Sequence, residues 1–412
     1  MDGCLNGVRV LDLSRVLAGP WATQILADLG AEVIKIERPG VGDETRVAGP
    51  PFLRDASGHD TPDAAYYLSA NRGKKSVAIN LASTQGQEII RGLAAQSDVL
   101  VENYRVGTLE KYGLSYAALA EINPRLIYCS ITGFGQTGPY RERAGYDFVF
   151  QAMGGLMSIT GEKDGSPQKV GVAVADIMTG LYSTIAILGA MVLRARTGIG
   201  QHIDMSLLDV QVATLANMNL NYFCSGETPP RMGNAHANLV PYQAFRCADG
   251  DLVVAAGNNN HFRQLCAALA VPELAEDQRF ASNPGRVRNR EQLINILDGL
   301  FKRMTKEECV KRLEEYQVPC APINTIPQVF EHPQVQERKM KIEVEHPLAG
   351  MIPLVANPIR FSGSEMSYRA PPLLAQHTDE VLGRLLGLPQ SELQELSDRG
   401  VIQRFAPAKT AA

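Results

Sequence analysis

The chain has 412 residues, 45% hydrophobic and 20% charged, with 40 Lys and Arg against 44 Asp and Glu for a formal net charge of −4. That length exceeds one ordinary core and predicts two domains, and the composition is globular. With no basic tail or basic block, the chain argues against nucleic acid and anionic membrane surfaces as general partners. The seven cysteines form no C-x-x-C pair and are odd in number. They read as reduced thiols without a disulfide framework or a zinc site, placing the chain in the cytoplasm or, in a eukaryote, the mitochondrial matrix. The seven histidines are scattered, with no H-E-x-x-H, and no metal is expected. Met1–Leu5 lacks the basic region and apolar core of a secretory signal.

The first 135 residues alternate strand and helix. Val8–Leu13 reads as a strand, and the loop Ser14–Gly19 leads to Pro20 at a first helical position. That helix runs through Ile25 and Leu29 and stops at Gly30. Further strands are Glu32–Glu37, Ser76–Leu81, Asp98–Asn103 and Leu126–Thr132, with a helix over Thr84–Gln96. The spacing predicts a parallel sheet covered on both faces. Ligands of such sheets bind outside the carboxyl ends of the strands. The loops to watch are therefore Arg15–Gly19, Arg38–Arg46, Asn80–Ser83, Asn103–Gly107 and Gly133–Asp147. Arg15, Arg38, Arg46, Arg105 and Lys111 supply cations there, suited to an anionic ligand if they converge and to solvent if they do not.

Gly133-Phe134-Gly135-Gln136-Thr137-Gly138 matches G-x-G-x-x-G after a strand. It follows the fifth strand rather than the first, and Pro139 with Tyr140-Arg141-Glu142-Arg143 opens no long apolar helix. A dinucleotide fingerprint is rejected on both grounds.

Asp176 is the only charged residue between Lys169 and Arg194. Two readings fit it. As an N-cap, it starts a buried helix over the apolar run Ile177–Leu193. As a desolvated carboxylate among small residues, it attacks an activated carbonyl. The apolar run is short for a membrane span, carries Thr179, Gly180, Ser183 and Thr184, and reads as a buried helix.

Beyond it, Gly198–Ser206 reads as a turn followed by a short alternating strand, then come a helix over Leu208–Phe223 and a linker, Gly226–Asn238. The pattern then changes. Tyr242–Arg246 and Leu252–Ala256 flank Asp249-Gly250 as a hairpin, and helices follow at His261–Leu269, Arg290–Arg303 and Lys306–Tyr316. The expected organisation is a large domain over 1–225, a small α+β domain over 226–325, and a return to the large domain over 326–412. The polar loop Gly257–Asn260 reads either as a substrate-facing lid or as an ordinary turn before a helix.

Several stretches together resemble the class III CoA-transferases, the family of formyl-CoA transferase, carnitine CoA-transferase and α-methylacyl-CoA racemase. The carriers are Val10–Pro20, Leu29–Gly40, Asp98–Tyr104, Gly198–Asp209, Val318–Pro322 and Pro371–Thr378. The resemblance implies a Rossmann-like large domain built from both chain ends and an interlocked homodimer. It implies that Asp176 is the nucleophile and that acyl-CoA and carboxylic acids are the substrates, with no permanently bound cofactor. The family's CoA contacts fall on Leu17, Ala18, Arg38, Ile79, Asn80, Leu81, Asn103, Tyr104, Arg105, Lys111, Ala144, Gly145, Tyr146 and Asp147. Leu17 stands where the formyl-CoA branch has a glutamine, and that branch's run of glycines is missing, which argues against formyl transfer. The racemase branch has a histidine where this chain has Tyr146, and a phenol is a poor base at neutral pH.

Val240–Phe245, Gly257–Asn259 and Glu345–Pro347 look most like the succinyl-CoA–glutarate branch, implying dicarboxylate substrates. Arg231, Asn234 and His236 are candidates for holding a second carboxylate. An α-methylacyl-CoA racemase and a catalytically silent CoA-binding protein are the alternative readings.

Overall fold

The computed structural model describes residues 3–406. The chain divides into two compact units. The first comprises the chain through Gly155, Gly171–Ala216 and the segment from Gln336 onward; the second comprises Leu156–Val170 and Asn217–Val335. The division therefore falls at 216/217 and 335/336 rather than at 225/226 and 325/326, and residues 156–170, expected in the large domain, belong to the second unit. The reason is local. The single helix expected over Leu208–Phe223 is two, Leu207–Ala213 and Asn217–Ser225, parted where Ala216 takes φ 49. A left-handed residue ends a helix, and the chain changes unit there.

The first unit is built on a seven-stranded sheet. Its strands are β1 (Arg9–Asp12), β2 (Glu32–Glu37), β3 (Lys74–Ile79), β4 (Val99–Glu102), β5 (Ile127–Thr132), β6 (His202–Ser206) and β7 (Ile402–Gln403), in the order β7-β3-β2-β1-β4-β5-β6. All pairs are parallel except β7 with β3. Side chains alternate across it. Val10, Val33, Val99, Val101 and Ile127 join one core, and Leu11, Ile34, Val77 and Leu100 the other. A sheet covered on both faces needs strands apolar at every position, as Val99-Leu100-Val101 is. The sequence pattern located five of these strands and β6. It missed β7, whose two residues carry no periodicity of their own. Inside the long loop after β2 it also missed the hairpin Phe52–Arg54 with Asp60–Ala64 and the helix Ala65–Ala70.

Two helices position the site. Helix α1 (Ala18–Asp28) follows β1, and α2 is the 24-residue helix Val174–Thr197. They cross closely at Gly180, where a Cβ would come within 2.8 Å of the Ala18 carbonyl oxygen. The buried face of α2 carries Ile187 together with Ala175, Thr179, Gly180, Ser183, Ala190 and Arg194, and the small residues among these let α1 approach. Several of its large apolar residues lie elsewhere: Ile185 is 64% and Val192 62% exposed, and Leu181, Tyr182 and Leu193 are exposed too. The expectation of a buried helix is corrected accordingly. By length and composition α2 passes the test for a membrane span, as core helices of soluble proteins also do.

The second unit packs the antiparallel strands Tyr242–Cys247, Gly250–Ala255 and Cys320–Pro322 against the helices Asn259–Ala268, Arg290–Phe301 and Lys306–Glu315. Phe245, Phe262, Phe280 and Phe301 fill its core. The α+β character agrees with the sequence pattern.

Candidate active site

Strand order reverses at β1, with β2 on one side and β4 on the other, and the crevice outside their carboxyl ends is where such sheets bind ligands. A cavity of ≈ 330 Å³ lies there. The β1–α1 loop contributes Arg15, Val16, Leu17 and Ala18. The segment after β4 contributes Asn103, Tyr104 and Arg105, and the loop after β5 contributes Arg141, Arg143, Ala144, Gly145 and Tyr146, with Asp176 in the same wall. A second cavity of ≈ 330 Å³ is lined by Arg38, Ile79, Asn80 and Leu81, and shares Arg15, Glu44 and Tyr104 with the first. A further cavity of ≈ 320 Å³ at the opposite strand ends is lined by Arg9, Lys75 and Arg369, the first two bound to Glu32.

Asp176 does not cap α2. It is the third residue of the helix, and the capping position, Ala173, has no side-chain bond. Asp147 does that work instead. Its carboxylate accepts from the Ala175 N–H at 2.8 Å and from Gln151 Nε2 at 2.7 Å. Asp147 thus holds the start of α2 rather than lining either cavity. The Val174 N–H is likewise engaged, by the Val172 carbonyl. Asp176, 9% exposed, is left with no hydrogen-bond or ion-pair partner among the described residues. Burial, reinforced by the negative charge of Asp147, pushes its carboxyl up to about 7. Such a group is about half ionised at pH 7 and is more basic than an ordinary carboxylate, which suits nucleophilic attack on an activated acyl carbon. Tyr66, which the sequence did not single out, lies close enough that burial and then the Asp176 charge raise its phenol.

The β1–α1 loop is held at each residue. The Ser14 N–H and hydroxyl donate to Asp12. Arg15 N–H donates to Asn103 Oδ1 at 2.9 Å, and Asn103 Nδ2 returns a bond to the Arg15 carbonyl at 2.7 Å. The amide of Asn103, expected as a CoA contact, is therefore spent on the backbone although the residue lines the cavity. Val16 has φ 68, a left-handed conformation that costs a β-branched residue roughly 1–3 kcal/mol. Arg15 itself reaches Glu44 at 3.0 Å and lies over the Tyr104 ring.

Beneath the loop lies a buried charge network. Lys35 Nζ meets Asp43 Oδ2 at 2.8 Å, and Lys74 Nζ meets Asp12 Oδ2 at 3.1 Å. Arg46 bridges Glu37 and Asp63 at 2.7 and 2.6 Å and covers the Tyr67 ring. Arg46, a candidate anion ligand by position, is thereby a structural cation with its donors engaged. Lys111 is exposed in the turn Glu110–Tyr112 and reaches neither cavity. The other expected contacts, Leu17, Ala18, Arg38, Ile79, Asn80, Leu81, Tyr104, Arg105, Ala144, Gly145 and Tyr146, line one cavity or the other. Arg141 and Arg143, which the sequence reading did not single out, join them; their place in the loop after the carboxyl end of a strand is the signal that could have found them.

The G-x-G-x-x-G stretch is a turn in which Gly135 and Gly138 take positive φ and the Gln136 N–H donates to Asp204. No helix follows until Asp147. In the second unit, Asn258 caps the helix Asn259–Ala268 through the His261 N–H, and Arg286 donates to the Gly257 carbonyl and Asn259. That fits the reading of an ordinary turn before a helix. Arg231 donates to the carbonyl of Gly165 at 2.6 Å, and His236 Nδ1 accepts from the N–H groups of Asn238 and Leu239, so these two of the three candidate diacid ligands already have backbone partners, while the third, Asn234, is exposed in a turn.

A parallel sheet covered on both faces, with a cavity at its switch point that takes in a buried, unpartnered carboxylate and several arginines, gives a site for an anionic ligand beside a candidate nucleophile. The chain belongs to CoA-transferase family III, whose model matches residues 5–378, and it is a CoA-transferase of that family. It is 49% identical to the succinate–glutarate CoA-transferase of Agrobacterium fabrum, over 92% of this chain and 95% of that one. It is 46% identical to the human succinyl-CoA:glutarate CoA-transferase, over 97% and 90%. The structure of a CAIB/BAIF family protein from Brucella suis superposes with a TM-score of 0.82 at 48% identity, covering 93% of this chain and all of that one.

Proposed function

We propose that the enzyme moves CoA from succinyl-CoA to glutarate, or to a short diacid like it, with Asp176 carrying CoA as a thioester. The observation behind this reading is the buried carboxylate of Asp176, which has no partner to neutralise it and faces a cavity with four arginines in its wall. The activities named for the Agrobacterium and human relatives support the choice of acids.

Asp176 attacks the succinyl thioester carbonyl, forming a succinyl–aspartyl anhydride and releasing CoA thiolate. The thiolate attacks the aspartyl carbonyl, releasing succinate and leaving aspartyl-CoA. Glutarate attacks that thioester, giving a second anhydride and thiolate. The thiolate then takes the glutaryl group and frees the Asp176 carboxylate. CoA runs along the joined cavities, its phosphates near Arg38 and the arginines at the strand ends, its sulfur at Asp176. Leu17 and Ala18 form the wall beside the reacting carbonyl.

The working form is a homodimer, interlocked as in the rest of the family. The exposed apolar residues of α2, Leu181, Tyr182, Ile185 and Val192, are the surface a second copy covers. The enzyme works in the cytoplasm, or in the mitochondrial matrix in a eukaryote.

The test is incubation with succinyl-CoA, trapping with hydroxylamine or borohydride, and mass spectrometry of the peptide containing Asp176. A modified Asp176 is expected; an unmodified peptide from an enzyme that still exchanges thioesters overturns the mechanism. Failure to transfer CoA across a panel of short diacids overturns the choice of acceptor.

A further inference from the structure

We propose that Asp43 and Lys35 are positioning residues that hold the Asp176 cavity in shape by locking Val16 in its left-handed conformation. Both side chains have no exposed surface, although both residues border the cavity that holds Arg38, and their role runs through the loop they bind. Each holds one point of the same loop. Lys35 Nζ donates to the Ser14 carbonyl at 2.9 Å and to Asp43 at 2.8 Å. Asp43 Oδ1 accepts from the Val16 N–H at 3.3 Å and from the Thr45 N–H and hydroxyl at 2.9 and 2.7 Å. The Asp43 N–H donates to Glu37 at 2.9 Å, which ties the arrangement to Arg46.

A β-branched residue does not take φ 68 unless its surroundings impose it. Here the imposed path has a use. It turns Leu17 and Ala18 into the wall of the cavity that holds Asp176, and it sets the start of α1, whose Ala18 carbonyl packs on Gly180 one turn beyond Asp176. If the Asp43 acceptor is removed, the Val16 N–H loses its partner and the residue relaxes toward negative φ, drawing the wall away from the nucleophile.

Glycine adopts positive φ without strain, and this supplies the test. The loss caused by D43A is measured in the natural chain and in a V16G chain. Two readouts are used: the transfer rate from succinyl-CoA, and the emission of Trp21, the chain's single tryptophan, whose backbone N–H donates to the Leu17 carbonyl at 2.7 Å. In the natural chain D43A is expected to lower kcat and shift Trp21 emission to the red. In the V16G chain the same substitution is expected to cost at least about tenfold less in kcat and to leave the emission in place. Equal losses and equal shifts in both chains overturn the proposal, because a merely structural Asp43 acts alike whatever stands at position 16.

Should D43A fail to fold, D43N replaces it. That variant keeps an acceptor and loses the charge, and the same inequality between the two chains is expected at smaller size. The inference rests on the transferase reading only for the rate. If the unmodified enzyme moves no CoA, that reading fails, and the Trp21 emission still decides this one.

Discussion

Asp43 and Asp176 are both carboxylates of the first unit with almost no exposure, 1% and 9%. Burial pushes both upward. Around Asp43 the Lys35 ammonium and the Thr45 donors overcome that push and hold the carboxyl at about 2. Among the described residues no cation pairs with Asp176, and the Asp147 charge adds to burial, so it rises to about 7. Partnership, rather than depth, separates a carboxylate that supports the fold from one that is free to react. The first kind holds a loop in place; the second keeps its lone pairs for chemistry, and the fold bears the cost.

The sharpest break of this comparison is D176N. It is expected to reduce CoA transfer at least about a thousandfold and to abolish the trapped adduct, since a nucleophile acts as part of a unit that fails without it. On the supporting side, Arg46→Met leaves Glu37 and Asp63 buried and uncompensated. It is expected to lower stability by about 3–5 kcal/mol in urea unfolding at pH 7.

The two kinds of carboxylate also respond to pH with opposite sign. Asp176 has a folded value above its unfolded one, so the folded state binds the extra proton between about pH 4 and 7 and loses stability as pH rises through that window. Measured against D176N, the wild type is expected to lose on the order of 3 kcal/mol between pH 4 and 8. Asp43 has a depressed value, so its contribution is present above about pH 4 and is lost as pH falls through about 2.

For the reaction itself, kcat/KM is expected to fall about tenfold per pH unit below about 7. Glu102, pushed up to about 7 by burial despite bonds from Ser130 and the Tyr104 N–H, titrates in the same window. E102Q is expected to keep the midpoint, and a displaced midpoint assigns the profile to Glu102 instead. The smallest effect is expected from Arg15→Ala. Its bond to Glu44 is exposed, so stability should change by less than about 1 kcal/mol in the same urea assay.

Much of this was legible in the chain. Residues 8–132 alternate strand and helix because apolar runs separated by Gly, Pro and Ser signal them locally, and the carboxyl-end rule then selects the loops that line both cavities. Asp176 stood out because no other charge lies between Lys169 and Arg194. The errors have physical causes. Arg46 reads like Arg38 in sequence, yet Glu37, Asp63 and Tyr67 surround only the first. Lys111 follows the right loop but points out of a turn that carries it away from the crevice. The apolar run of α2 was read as buried because hydrophobicity does not say which face meets α1; the small residues at the crossing decided that.

The sequence by itself determined the parallel sheet, the second α+β unit and the identity of the one carboxylate with no charged neighbour in the chain. These depend on periodicity and on residues a few positions apart. Only the tertiary structure decided that Asp147, 28 residues before Ala175, caps α2 and leaves Asp176 free, that Lys35 and Asp43 grip the loop at Val16, and that β7 returns from the far end of the chain. Whether a charge is paired depends on which groups folding brings within about 3 Å of it, and that proximity is not written in the spacing of residues along the chain.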